Sequence, residues 1–328
     1  MALFSTKGAR LAEHTLPYRA HGVAYDPLRQ RLAVVARRPG TLCDIFDLGR
    51  GGTPLRLTAP AGCHFYGHAV FAPDGTRLYT TENAYDTGAG MVCVWDAASG
   101  YRRMGQFSSG GVGPHEIGLM PDGATLIVAN GGIRTHPETG REKLNLAAMA
   151  PSLAYIHRET GVLRAAVGFE GGRLRKLSIR HIAVGKDGTV CAAMQDQGEG
   201  DDLVPLVACY RPGWLVLRPL AAPDRVVRRM RGYTGSVALD AGGRIAAVSA
   251  PRGNLVTLCD MRAASFLIQR ALRQEGCGVA ATGRANEFLL TSGVGGAVKF
   301  EVQTGAANVL RDPFVAQRRW DNHLSVLP

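Results

Sequence analysis

Several signatures of common chemistry are missing from this chain. It has no G-x-S-x-G elbow, no H-E-x-x-H helix, no phosphate-binding glycine loop and no C-x-x-C-H haem attachment site. Familiar hydrolytic and nucleotide-dependent mechanisms therefore have no visible foothold. No apolar run is long enough for a membrane-spanning helix, so membrane insertion is not expected. The opening MALFSTKGARL lacks the apolar core of a signal peptide, which leaves a cytosolic chain and a leaderless exported form both open. None of the seven cysteines belongs to a C-x-x-C pair, and Cys93 in MVCVWD and Cys259 in LVTLCD sit in apolar runs. Small buried hydrophobes are expected there, not a disulfide framework. Charge is sparse: only 20% of the residues are Asp, Glu, Lys or Arg, and the excess of base gives a formal net charge of +11. Those bases are scattered and carry no aromatic interleaving. No nucleic-acid role is expected, and an acidic partner or anionic ligand is preferred.

What the chain does have is glycine, 42 residues of it, and a motif written repeatedly. HAVFAPDG begins at His68, HEIGLMPDG at His115, HIAVGKDG at His181 and HGVAYDP at His21. Related copies open at Ser236, Cys277 and His323. Each copy is an alternating apolar run, an Asp/Gly turn and a second apolar run, which is the signature of a hairpin. The first two intervals are both 47 residues. Strand-and-turn repeats of about 40 to 50 residues predict a β-propeller with four strands per blade. The expectation is an all-β, seven-bladed propeller of WD40/YVTN-like type, residues 1–328 forming a single domain. The strands of LFSTKGARLAEHTLPY lack an inner partner and the closing HLSVLP lacks outer ones, so the two ends are expected to share one blade and close the ring.

The first residue of each innermost strand should sit at one mouth of the channel. Five imidazoles and a thiol, from His21, His68, His115, His181, His323 and Cys277, make a candidate metal-ligand set, since imidazole and thiolate suit iron, copper or zinc and not calcium or magnesium. The opposing reading is a structural ring of hydrogen-bonded histidines that knits the blades together. Neighbouring strand ends and loops add Arg37, Glu82, Asn83, Glu116, Asn130 and Arg252 as candidate ligand-orienting groups. The insertion GIRTHPETGREKLNLAAMAP brings Arg134 and His136 and is expected to lie across the mouth as a lid.

The strings AHGVAYDP, FYGHAVFAPDG, GGVGPHEIGLMPDG, VANGGIRTHPETGREKLNLAAMAPSL and RWDNHL resemble a bacterial family of uncharacterised periplasmic propeller proteins, a domain of unknown function. The resemblance spans nearly the whole chain. It implies export, and genes adjoining those of imelysin-type and dihaem thiol-oxidoreductase-like proteins, which would be the partners in iron or other metal uptake. The expected function is thus metal binding at the histidine mouth, without catalysis being required. A non-catalytic interaction scaffold is one alternative. A metal-dependent oxidoreductase or lactonase-like enzyme is the other, with His68, His115 and Glu116 as its first acid–base candidates.

Overall fold

Turn chemistry sets the local structure. In each D-G-T or D-G-A turn the aspartate side chain takes up the backbone N–H groups that follow it: Asp74 accepts from Thr76 at 2.9 Å, Asp122 from Thr125 at 2.9 Å and Asp187 from Thr189 at 3.0 Å. The glycines between, Gly75, Gly123 and Gly188, all have positive φ. The chain therefore folds back at the same point of successive repeats, and the computed structural model, which describes residues 1–140, 142–199, 202–270 and 276–327, is all-β with two short helices.

Six repeats form antiparallel four-stranded sheets in simple meander order. These are β3 (Ala20–Asp26), β4 (Arg31–Ala36), β5 (Leu42–Asp47) and β6 (Leu55–Thr58); then β7 (Cys63–Phe71), β8 (Arg77–Ala84), β9 (Gly90–Asp96) and β10 (Arg102–Ser108). The third comprises β11 (Pro114–Leu119), β12 (Thr125–Asn130), β13 (Ser152–His157) and β14 (Leu163–Val167), with the insertion between β12 and β13. β15 (Leu177–Val184), β16 (Val190–Asp196), β17 (Val207–Tyr210) and β18 (Arg218–Pro219) follow, then helix α1 (Asp224–Met230). The last two sheets are β19 (Ser236–Leu239), β20 (Ile245–Ala250), β21 (Leu255–Asp260) and β22 (Ser265–Arg270), and β23 (Gly276–Ala281), β24 (Glu287–Ser292), β25 (Ala297–Glu301) and β26 (Ala307–Leu310), before helix α2 (Pro313–Ala316).

The seventh sheet differs from the expectation. It is a two-stranded hairpin of β1 (Ala2–Phe4) and β2 (Arg10–Glu13), and among the described residues HLSVL forms no ladder with it; Pro328 lies outside them. The two ends meet through side chains instead. Phe4 packs on Trp320 with ring centroids 5.1 Å apart, Arg318 pairs with Glu13 at 2.7 Å, and Leu324 joins Phe4 and Trp320 against Leu289 and Leu310.

Two compact units are distinguished: residues 17–180 with 327–328, and residues 1–16 with 181–326. In the first, Phe65, Phe71, Leu78 and Trp95 pack with Val35 and Ile45, while Tyr79 and Val92 pack with Leu126 and Ile156. Each sheet thus buries its face against the next. In the second, Val256 and Leu258 pack with Val279, Phe288 and Phe300. Burial pushes the thiols of Cys43, Cys93, Cys191 and Cys259 upward, and no cysteine is joined in a disulfide, in line with small apolar fillers. Among the described residues no helix is long and apolar enough to cross a membrane.

Candidate metal centre

The histidines that open the repeats do not all head their strands: His21 and His115 stand second in β3 and β11, His68 and His181 lie well inside β7 and β15, which begin earlier, and His323 is in no strand. At several of these positions the ladder slips. The register shifts between Ala20 and Val23 around His21, between Phe65 and Ala69 around His68, between Pro114 and Glu116 around His115, and between Gly276 and Val279 around Cys277. A bulge bends its strand and re-aims a side chain, so these residues are turned out of the regular pleat. Ser236 has no such slip; it pairs directly with Ser249, and its hydroxyl accepts from the Val279 N–H at 3.2 Å.

In the first unit three re-aimed imidazoles converge. The His21, His68 and His115 rings lie 5.0, 5.1 and 5.3 Å apart, and each offers a ligand nitrogen within 4.8 Å of the other two. His68 and His115 are buried and His21 half-buried. Nitrogens sharing one ion at about 2 Å stand no more than about 4 Å apart, so this set could hold a common metal only after its side chains draw closer. Glu116 adjoins it, with Oε1 3.9 Å from Nδ1 of His68, an ion-pair distance that is longer than a hydrogen bond.

Two glycines make the approach feasible. A Cβ at Gly67 would stand 2.3 Å from Cδ2 of His21, and one at Gly22 would stand 2.7 Å from Nδ1 of His68. Each ring rests on the bare backbone beside the other histidine. The sequence reading passed over both positions, although a glycine inside a strand pattern, as in FYGH, signals a bulge or a close approach.

A second layer surrounds the set. His64 is buried between the rings of Tyr66 and Tyr85, stacked at 5.5 and 5.3 Å, and Tyr66 meets His115 edge-on at 6.3 Å. Because the Phe65 carbonyl can only accept, the His64 contact to it at 2.8 Å fixes the proton on Nδ1. Burial lowers His64 to about 4, the Arg38 cation adding to the effect and the carbonyl bond opposing it. The Arg38 guanidinium donates to the Tyr66 hydroxyl at 3.2 Å and to Thr135 of the insertion at 2.8 Å. Arg37 is tied by its backbone N–H to the Arg19 carbonyl at 2.8 Å.

Several expected site residues are engaged elsewhere. Glu82 is fully buried and takes both its oxygens to Arg103 of β10, at 3.0 and 2.9 Å, on the sheet face the two residues share. Asn130 exchanges bonds with Ser109, Oδ1 accepting and Nδ2 donating, each at 2.9 Å. Asn83 donates to the Ala84 carbonyl at 3.1 Å. The insertion does bend back over this unit, but Arg134 donates to the Asp86 carbonyl and His136 sits 3.8 Å from the Asp86 carboxylate, so both grip the β8–β9 turn. The Ile133 carbonyl of the insertion accepts from the Tyr66 hydroxyl at 3.4 Å.

In the second unit His181 and His323 pair with ring centroids 5.1 Å apart. Cys277 joins no ligand group among the described residues. Arg252 stacks over the Tyr233 ring at 4.5 Å, and Asn322 donates to the Tyr233 hydroxyl at 3.0 Å.

A family model described as "Protein of unknown function (DUF1513)" matches residues 14–327. A comparison with curated proteins gave no match. Among solved structures, Kuenenia stuttgartiensis Hydrazine Synthase is similar with a TM-score of 0.61 at 14% identity, over 94% of this chain and 85% of that one. At that identity the likeness shows the fold alone, since one fold hosts many functions.

Proposed function

This chain belongs to the family described as Protein of unknown function (DUF1513), and since that description assigns no activity we propose one from the site: it binds a transition-metal ion through His21, His68 and His115. The observation that carries the reading is the convergence of three imidazoles from three sheets, each turned out of register by its own bulge. Nitrogen donors favour iron, copper or zinc over calcium or magnesium, and our choice is iron or copper. Three protein ligands leave a coordination position for an exogenous ligand, which suits a protein that takes up and passes on its metal. Glu116 stands at ion-pair distance from His68, and the His181–His323 pair supplies a second, weaker point of attachment.

The wider reading is a seven-bladed propeller in which the β1–β2 hairpin and the C-terminal segment make up the incomplete blade. Seven sheets in sequence and the side-chain junction of the two ends support it. Periplasmic residence, and service to metal uptake beside imelysin-type or dihaem proteins, follow from the resemblance of its motifs. A structural histidine ring is the competing account. The edge-on packing of His21 against both other rings, at interplanar angles of 82° and 70°, speaks for it, because such contacts are favourable without an ion.

Elemental analysis after loading with copper, iron or zinc and exhaustive dialysis separates the two. About one ion per chain in the parent, lost in His68→Gln/His115→Gln with the fold retained, is the expected result. Equal and negligible metal in both proteins leaves the structural ring as the account.

A further inference from the structure

A different observation, in the second unit, concerns the turn between β17 and β18. The connecting residues RPGWLVL, 211–217, carry Leu215 at 89% exposure, the highest of any large apolar side chain among the described residues. A single exposed leucine is ordinary. This one adjoins Trp214, which is half-buried and covered by cations: the Arg218 guanidinium lies over its ring, 4.1 Å from the centroid, and that of Arg211 at 5.3 Å. Apolar and basic groups are thus presented together.

The tip is held in shape. Gly213 takes a φ of +89°, the Trp214 N–H donates to the Arg211 carbonyl at 3.0 Å, and the Arg211 guanidinium donates to the carbonyls of Met261 and Arg262 at 2.7 and 3.0 Å. Little freedom is left to lose on binding. Met261 and Arg262 belong to the β21–β22 turn, so the ends of two sheets meet here, and the exposed Arg262 is brought to the same end as Arg211 and Arg218. The β15–β16 turn at that end of its sheet adds exposed Lys186 and Asp187. Asp187 takes the Thr189 N–H and hydroxyl, each at 3.0 Å. Asp240 is buried and takes the N–H groups of Arg244 and Ile245 at 2.9 Å, and Asp260 is buried against Arg244 at 2.8 Å. The charge left at the surface is basic: Lys186, Arg211, Arg218 and Arg262 against Asp187.

Such a surface matches the boundary of an anionic bilayer. Guanidinium groups take lipid phosphates, an indole sits at headgroup level, and a leucine beside it reaches the acyl boundary. An acidic protein would also meet the arginines, but a projecting leucine needs a matching pocket there, whereas a bilayer accommodates it without one. We infer that the β17–β18 tip is a docking point for an anionic phospholipid surface, with Trp214 and Leu215 entering the headgroup boundary and Arg211, Arg218 and Arg262 taking lipid phosphates. The contact is peripheral and not a span. It is independent of the three-histidine centre and stands whether or not that centre holds metal.

Co-sedimentation of the metal-free protein with phosphatidylglycerol/phosphatidylcholine vesicles, and with vesicles of phosphatidylcholine alone, tests it at about 0.1 M salt. Binding is expected to the anionic vesicles and not to the neutral ones. Leu215→Ser should weaken it by about tenfold or more, as loss of a buried leucine implies. Arg218→Gln and Arg262→Gln should each weaken it about fivefold, the share of one basic residue at an anionic surface. Arg102→Gln, an exposed arginine on β10, should leave it unchanged, and circular dichroism should show all four variants folded. Absence of binding to the anionic vesicles overturns the proposal. So does binding that Leu215→Ser leaves intact, which is plain adhesion of a basic protein. Equal binding to phosphatidylcholine alone overturns the anionic assignment.

Discussion

Gly67 illustrates how much of the candidate centre rests on an atom that is absent. Its φ of +111° is one that residues with a Cβ rarely adopt, and the space a Cβ would need is already taken by the His21 ring. Gly67→Ala is therefore expected to displace His21, weakening metal about 10- to 100-fold in a calorimetric titration, the range seen when a ligand's support is lost. Backbone strain should also lower stability by roughly 1–3 kcal/mol in a urea titration. Unchanged metal affinity in a folded Gly67→Ala protein would remove His21 from the ligand set. His64 makes a separate prediction. Its folded value, about 4, lies below the ordinary imidazole value, so between the two the unfolded chain binds the extra proton and the folded one does not. Stability contributed by neutral His64 is thus complete above about pH 6.5 and is lost as pH falls toward 4, by about 3 kcal/mol in all. His64→Phe should flatten the pH dependence of the denaturation midpoint across that window.

At the scale of the element, the bulge and the outer strand do different work. Bulges at His21, His68 and His115 aim side chains inward, whereas Glu82 on β8 pairs with Arg103 on β10. Glu82 is fully buried, and the Arg103 guanidinium also donates to Cys93 Sγ at 2.8 Å and Gln106 at 2.7 Å. A buried carboxylate stripped of its cation is costly. Arg103→Met is expected to destabilise the protein by about 3–5 kcal/mol, read from chemical denaturation, while leaving metal stoichiometry alone in the folded fraction. A change of less than about 1 kcal/mol would mean that Glu82 finds another partner or water.

For the molecule as a whole, the junction of the two ends is the weak seam. It has no ladder among the described residues and relies on the Phe4–Trp320 contact, the Arg318–Glu13 pair and partly buried Leu324. The Arg318 guanidinium holds the exposed Glu13 carboxyl below the usual carboxylate range, a modest contribution. Ending the chain after Trp320 removes Leu324, the Asn322–Tyr233 bond and His323 together. A loss of about 2 kcal/mol or more is expected, together with a fall in the thermal midpoint. An unchanged midpoint would show that the C-terminal segment is not part of the closure.

The sequence by itself determined the repeats: alternating strands, Asp-held turns and six of the seven expected four-stranded sheets, because these depend on contacts a few residues apart. It also marked the insertion and the apolar cysteines. What it left undecided was direction. Glu82 and Glu116 look alike as acids beside the histidine slots, yet Glu82, on a second strand, pairs with Arg103 two strands out, while Glu116, on a first strand, lies beside His68 of the neighbouring sheet. The bulges that bring three imidazoles together are register slips between neighbouring strands, and no single strand records them. Nor does the chain show that Gly22 and Gly67 each lie under the other's histidine, contacts between residues 46 positions apart. Local chemistry wrote the elements, and packing between them chose which side chains meet.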